Sequence, residues 1–305
     1  MNNSFYNSLL LKFFFYSYLI ITIALCQESK YNGNGSALLE YSLKEIVEVK
    51  GRQGVATDGN YYVVSGSKDL YLYTIKGQLL KHNSSPFEMI SDQLNHFGDI
   101  DIYKNEIYAG VENFINGKGE NIQIAIYNLN SLEFIRSIPA SSSSGQLEVC
   151  GVAVDEKRNL IWLADWVNGK YLYRYSLNSG DYLGRLRVDP APTKIQGITI
   201  YRDHILLTSD DADADYELHD HIYSLKIPDS KYAVESKLKF EKLLDDFRRA
   251  GEVEGLCISP DGSIFSVLMN RGRRIDEGIP KGFYAGYDRE IHEIYIYNVK
   301  TKRDD

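Results

Sequence analysis

The stretch Glu254-Gly255-Leu256-Cys257-Ile258-Ser259-Pro260-Asp261-Gly262-Ser263-Ile264-Phe265-Ser266-Val267 places a glycine and an alternating apolar run before a Pro-Asp-Gly turn and a second apolar run. Apolar residues at every second position match the period of a strand, and a tight Asp-Gly turn between two such runs predicts a β-hairpin. The arrangement recurs, starting at Gln53-Gly54-Val55-Ala56-Thr57, Gly98-Asp99-Ile100-Asp101-Ile102, Cys150-Gly151-Val152-Ala153-Val154 and Gln196-Gly197-Ile198-Thr199-Ile200. The corresponding turn signals are Asp58-Gly59-Asn60, Lys104-Asn105, Lys157-Arg158-Asn159 and Arg202-Asp203. A third strand then ends on a tyrosine, a small polar residue and an apolar one: Tyr73-Thr74-Ile75, Tyr127-Asn128-Leu129, Tyr175-Ser176-Leu177, Tyr223-Ser224-Leu225 and Tyr297-Asn298-Val299. An amphipathic ring suits a strand half-buried between packed sheets, which gives a reason for the chain's 24 tyrosines.

A supersecondary unit repeated at a spacing of roughly 50 residues predicts a stacked or radial array. The expected fold is all-β, a five-bladed β-propeller of four-stranded antiparallel blades. Fourth strands follow in four units, for example Phe134–Ile138 and Tyr182–Leu186, whereas the last unit reaches Asp305 with only three. The strand-like segment Leu43–Val49 is expected to supply the missing strand and close the ring. A six-bladed ring is the alternative, because Tyr41-Ser42-Leu43 echoes the tyrosine motif. Segment 241–249, with Leu243, Leu244 and Phe247 on one face, predicts a helix.

At the N-terminus, Lys12 precedes an unbroken apolar run from Phe13 to Leu25 that is too short to span a bilayer as a stable helix. With small residues at Ala24 and Cys26 it reads as a signal peptide over residues 1–26, leaving a single propeller domain over 27–305. An uncleaved anchor is the alternative. The expected location is extracellular or the lumen of the secretory pathway, with no membrane attachment after cleavage and a monomeric state. Sequons at Asn34-Gly35-Ser36 and Asn83-Ser84-Ser85 mark glycosylation candidates. Cleavage would leave Cys150 and Cys257, enough for one disulfide at most, so the core must hold the fold. A formal net charge of −8 argues against nucleic acid or an anionic membrane as partner, since both need basic surface to replace counterions.

In such a ring the first strand of each unit lines the axis, and its start shares a face with the loop between strands two and three. That topology brings Arg52, Gln53, His96, Asp99, Glu148, Gln196 and Glu254 toward Asp165, Asn270 and Arg271. Clustered carboxylates favour a cation or a proton, so calcium or a cationic ligand is the expected cofactor. Glu254 and the run Asp210, Asp211, Asp213 and Asp215 are the metal candidates. The run is not an EF-hand loop, because Tyr216 stands where the sharp turn needs glycine. The loop 271–289, rich in glycine and aromatic residues, is expected to lean over the same face as a lid or a partner-binding segment.

The unit starts, with a polar residue, a glycine and an alternating strand, resemble the propeller superfamily that includes gluconolactonase- and regucalcin-like lactonases, strictosidine synthase-like proteins and NHL-repeat proteins. The likeness covers most of residues 51–299. In the lactonases, Glu, Asn or Asp before such glycines ligates a catalytic divalent ion; here Glu254 matches, and Gln53, Cys150 and Gln196 depart. Gln53-Gly54-Val55 and Glu252-Val253-Glu254 are also similar to stretches of the five-bladed glutaminyl cyclotransferases. Two functions follow as expectations. One is an extracellular binding module for a small molecule, glycan or protein, with Arg52, Gln53, His96, Gln196, Asp165, Asn270 and Arg271 as ligand-binding residues. The other is a metal-dependent hydrolase, lactonase or cyclotransferase, with Glu254, Glu148 and Asp99 as catalytic candidates.

Overall fold

The structure, a computed structural model, describes residues 37–211, 218–230, 232–247, 251–276 and 279–302. It is all-β, and among the described residues no helix is long and apolar enough to cross a membrane. An N-terminal strand, β1 (Leu39–Val49), precedes the first repeat. The first unit comprises β2 (Val55–Thr57), β3 (Tyr61–Ser65), β4 (Leu70–Thr74) and β5 (Leu79–Asn83). The second comprises β6 (His96–Tyr103), β7 (Glu106–Ile115), β8 (Lys118–Asn128) and β9 (Phe134–Pro139). The third contains β10 (Gly151–Asp155), β11 (Leu160–Ala164), β12 (Tyr171–Ser176) and β13 (Tyr182–Asp189), and the fourth β14 (Ile195–Tyr201), β15 (His204–Ser209), β16 (His221–Lys226) and β17 (Glu235–Leu243). The last unit has β18 (Gly251–Ile258) and β19 (Ile264–Arg271), a short hairpin of β20 (Arg273–Asp276) and β21 (Ile279–Phe283), and then β22 (Ile291–Thr301).

Each unit is an antiparallel meander because its hairpins turn on residues that accept a left-handed backbone. Lys104, Asn159 and Arg202 hold φ of 56°, 56° and 53° at the expected turns, and Gly59 and Gly262 hold 89° and 71°. The first turn is reinforced by Asp58, whose Oδ1 accepts from the backbone N–H groups of Asn60 and Tyr61. Middle strands such as Leu160-Ile161-Trp162-Leu163-Ala164 are apolar almost throughout because sheets cover both their faces.

β1 pairs with β22 from Leu39 opposite Thr301 to Val49 opposite His292, with one bulge near Leu43 and Glu45. The last sheet therefore has the order β1-β22-β19-β18, its outer strand coming from the other end of the sequence. Neighbouring sheets bury apolar layers between them. Val55, Tyr62 and Val64 of the first unit pack on Leu268, Ile294 and Ile296 of the last, and Ala56, Val63 and Leu72 pack on Ile100, Ala109 and Ala125 of the second. Tyr108 and Ile126 meet Val152 and Leu163 of the third, while Leu206 and Ile222 of the fourth meet Val267 and Tyr295 of the last. The third and fourth units are also joined edge to edge, since β13 and β17 pair in parallel through Arg187–Glu235, Val188–Ser236 and Asp189–Lys237 and merge the two units into one eight-stranded sheet.

The five motif tyrosines, Tyr73, Tyr127, Tyr175, Tyr223 and Tyr297, are all buried. Three of their hydroxyls bond the backbone of connecting segments: Tyr127 donates to the carbonyl of Pro86, Tyr175 accepts from the backbone N–H of Ser141, and Tyr73 bonds both backbone groups of Lys50. A ring that fills the layer and a polar tip that satisfies the loop explain why the position repeats.

The expected helix over 241–249 does not form in its described part. Glu241–Leu243 ends β17, where Leu243 pairs with His221, and a turn follows that buries Leu244 and Phe247; residues 248–250 lie outside the described residues. The open edge of β16 and the core beneath it satisfy this segment better than an isolated two-turn helix, which is marginal in water.

Candidate functional site

The first strands of all five units converge so closely that only glycine fits at their starts. A Cβ on Gly255 would lie 2.1 Å from Asp99 Oδ1 and 2.8 Å from the Cα of Gly54, and one on Gly197 would lie 2.7 Å from the Cα of Gly255. The strands also bond across the axis, with Gly255 N–H donating to the carbonyl of Gln53 and Asp99 N–H to that of Cys150. The Asp99 side chain is fully buried in this knot. Its Oδ1 accepts from the N–H groups of Ile100 (2.9 Å) and Val55 (3.3 Å), and its Oδ2 from Ile198 (3.2 Å). Burial pushes its carboxyl well above the ordinary range against the pull of those bonds. Asp99, expected as a catalytic candidate, therefore clamps three first strands and does not line the cavity above them.

Above this floor lies a cavity of about 360 Å³, lined by residues of all five units: Arg52 and Gln53, His96, Glu148 and Cys150, Gln196, and Glu252 and Glu254. The loops contribute Ser67, Lys68 and Trp166, the second unit adds Phe114, and the β20–β21 hairpin adds Arg273, Ile275 and Pro280. The inserted segment between β19 and β22 thus forms a hairpin that walls the cavity.

One wall is an ion-paired network. Arg52 Nε meets Glu290 at 2.9 Å, and its Nη2 lies 3.4 Å from Glu252 and 3.8 Å from Glu254. Burial pulls the guanidinium down, but Glu254, Glu252 and Glu290 together hold it above its ordinary value. Burial likewise raises the Glu254 carboxyl, with repulsion from Glu252 adding to it and Arg52 opposing. Asn270, expected as a ligand contact, stands behind this wall, donating from Nδ2 to Glu254 Oε1 and to the carbonyl of Arg52 while its Oδ1 faces His292 Nδ1. Gln196 reaches Glu252 Oε1 at 3.4 Å.

The opposite wall has no such compensation. His96 Nδ1 lies 3.3 Å from Glu112 Oε1, and Glu112 and Glu148 are almost completely buried. Burial raises the Glu148 carboxyl well above its usual range, with Glu112 adding to the shift and the N–H of Trp166 opposing it. Burial pushes the neighbouring Cys150 thiol up as well, which disfavours the thiolate. Cys150 and Cys257 are both free.

Other expected residues are placed elsewhere. Asp165 is fully buried and anchors its own loop, accepting from the N–H groups of Leu147 and Asn168. Arg271 forms a bidentate pair with Glu293 and donates to the Tyr287 hydroxyl, so it braces the root of the hairpin. Asp210 faces Lys194, whereas Asp211 faces His221 and the Tyr223 hydroxyl; the two do not turn toward one ion. Asp213 and Asp215 lie outside the described residues, as does Asn34. Asn83 ends β5, and its side-chain amide donates to the carbonyl of Leu132 at 2.8 Å.

Residues that sequence reasoning did not single out are Glu290, Phe114 and Lys68, whereas Arg273 belongs to the loop 271–289 expected to lean over this face. Glu290 sits just before β22, outside any repeated motif, and its role depends on the distant Arg52.

No family model matches the chain, and no curated protein matches it. Among solved structures it is similar to a chain of "Crystal Structure of Mitotic Checkpoint Complex", at 11% identity and a TM-score of 0.42, covering 83% of this chain and 64% of that one. It is also similar to a chain of "Kuenenia stuttgartiensis Hydrazine Synthase", at 9% identity and a TM-score of 0.41, covering 84% and 67%.

Proposed function

We propose that the five four-stranded units are the blades of a five-bladed β-propeller, and that the chain is an extracellular binding module whose cavity takes a small, hydroxyl-rich molecule of the sugar class. One observation carries this reading: a single cavity of about 360 Å³ is walled by the first strands of all five units and sealed beneath by Asp99 and the axial glycines. A blind pocket of that size suits a small ligand rather than a through channel.

The chemistry of the lining supports the ligand class. Gln53 and Gln196 each offer a donor and an acceptor, the pairing that hydroxyl groups need. Arg52 is already met by Glu252, Glu254 and Glu290, so it is not free to hold an anionic ligand, and the wall favours a neutral ligand over an acidic one. Trp166 and Phe114 supply apolar ring faces for the C–H side of a pyranose. The extracellular setting rests on residues 1–26, which lie outside the described residues, and the propeller reading agrees with the resemblance of the unit starts to the lactonase and NHL-repeat superfamily.

Only two tryptophans are present, and Trp162 is buried in a sheet while Trp166 borders the cavity. Titrating glucose, galactose, mannose and N-acetylglucosamine while following tryptophan fluorescence should give a saturable change with at least one of them, abolished by Gln196→Ala. A flat response across the panel would count against the sugar class. The enzymatic alternative, a lactonase-, hydrolase- or cyclotransferase-like use of the same wall, draws on Glu254, which Asn270 and Arg52 hold at the cavity. Turnover of a lactone or of an N-terminal glutaminyl peptide, lost in Glu254→Gln, would establish it.

A further inference from the structure

We propose that His96, Glu112 and Glu148 form a binding site for a divalent transition-metal ion of the zinc class, set in the cavity wall between the second and third units. The site comes from two neighbouring units. His96 opens β6 and is directly paired across the sheet with Glu112 on β7, while Glu148 lies three residues before the start of β10 in the next unit. One ligand atom from each of the three lies within 4.8 Å of the other two.

The first argument is electrostatic. Glu112 is 0% exposed and Glu148 2% exposed, so two carboxylates stand side by side out of water. Buried like charges persist only when a cation or a proton offsets them. Among the described residues no lysine or arginine pairs with either carboxylate; the ion-pair partner of Glu112 is His96, 22% exposed at its side chain.

The second argument is the shell around the three residues, which orients them as it would metal ligands. Glu112 Oε2 accepts from the backbone N–H of Val149 at 3.0 Å, and Glu148 Oε2 accepts from that of Trp166 at 2.7 Å; Glu148 also interacts with the Cys150 thiol. Glu112 thereby keeps its Oε1 on His96, and neither carboxylate spends both oxygens on backbone donors. The His96 ring packs on Phe114 with centroids 5.3 Å apart, which restrains its orientation. Room for the Glu112 carboxylate exists only because residue 119 is glycine: a Cβ there would lie 2.0 Å from Glu112 Oε2.

The donor set selects the metal. One imidazole nitrogen and two carboxylate oxygens suit zinc and its neighbours, whereas calcium takes six to eight oxygens. Three protein ligands leave at least one position open, and since His96 and Glu148 line the cavity, that position faces the space where a water or a ligand oxygen would bind. Ligands of a tetrahedral zinc stand about 3.4 Å apart, so the side chains must draw together by roughly an ångström, within the reach of small rotations in the two glutamates. The site stands whether or not the cavity takes a sugar.

The test uses the full chain, stripped with chelator and titrated calorimetrically with zinc, manganese and calcium chloride in turn, with metal content measured after desalting. The expected result is one zinc or manganese ion per chain, little response to calcium, and a loss of affinity of at least about a hundredfold in Glu112→Gln and Glu148→Gln, beyond what second-shell changes produce. His96→Ala, at a partly exposed position, gives a third variant should a buried glutamine impair folding, and circular dichroism monitors all three. No stoichiometric zinc or manganese binding, binding of calcium alone, or binding unchanged in folded variants would each overturn the proposal. Because the metal is titrated alone, this outcome is independent of the sugar panel.

Discussion

Glu241 accepts a hydrogen bond at 2.8 Å from the backbone N–H of Leu39, a residue 202 positions earlier in the chain. Its other oxygen accepts from Leu38 at 3.0 Å, and the Tyr41 hydroxyl approaches the first at 3.3 Å. The outer strand of the fourth unit thus fastens the beginning of the strand that completes the fifth.

Replacing Glu241 with alanine strands the Leu39 donor in a buried setting and loosens the one at Leu38. An unsatisfied buried donor costs about 1–3 kcal/mol, so Glu241→Ala should lower the urea midpoint by an equivalent amount. Hydrogen exchange should accelerate in β1 before it does in β7 and β8. An unchanged midpoint, or uniform acceleration, would show that β1 does not depend on this contact.

Gly255→Ala addresses the axial knot. A methyl group 2.1 Å from Asp99 Oδ1 and 2.8 Å from the Cα of Gly54 has nowhere to move, because backbone lies on the far side. Overpacking of this kind costs at least about 1–3 kcal/mol. The variant should be recovered in poor soluble yield, or with a strongly reduced melting temperature, while Gly117→Ala, with nothing within 4 Å but a positive φ, should lose much less. Equal effects at the two positions would contradict the close approach of the first strands.

Asp99→Asn tests whether that carboxyl is a clamp. An amide cannot accept with its nitrogen, so one of the N–H groups of Val55, Ile100 and Ile198 loses its partner. The expected loss is about 1–3 kcal/mol, with ligand and metal binding retained at permissive temperature because Asp99 lies below the cavity. Loss of binding in a well-folded variant would return Asp99 to the site.

The pH dependence of stability should carry a contribution from Asp101, which lines a second cavity at the other end of the first strands. Burial raises its carboxyl to about 6, against the N–H groups of Val154 and Ile102. Because the folded chain holds this proton more tightly than the unfolded chain, the slope of stability against pH is negative between about 4 and 6 and flat on either side. Asp101→Asn should therefore gain stability relative to the parent as pH rises from 4 to 7. A difference in urea midpoints that stays constant across that range would exclude the contribution.

Local signals explain which parts of this molecule can be read from its sequence. The glycine that starts each unit, the left-handed turn at Asn159 or Gly262 and the tyrosine at Tyr127 or Tyr175 each answer a constraint within a few residues, so they repeat visibly. The convergence of Arg52, Gln53, His96, Glu148, Gln196 and Glu254 on one cavity follows from the shared position of the strand starts. Partner choice within the site has no local signature. Glu290 pairs with Arg52 across 238 residues, and Asp99 looks like a polar first-strand residue until the strands of other units surround it. The misread helix has the same cause: Leu244 and Phe247 three apart fit a helical face, yet what buries them is a turn docked on the fifth unit.

The pairing of β1 with β22 also sets how the molecule answers force. Leu39 lies opposite Thr301, and the N–H of Lys302 donates to the carbonyl of Leu38, so both strands begin or end at the same point on the rim. Tension applied through residues 38 and 302 would load those ladder bonds one after another, as in opening a zipper, instead of shearing them together. The seam of the fifth unit is therefore its mechanically weakest line, and in a pulling experiment it should open at low force before any other sheet yields.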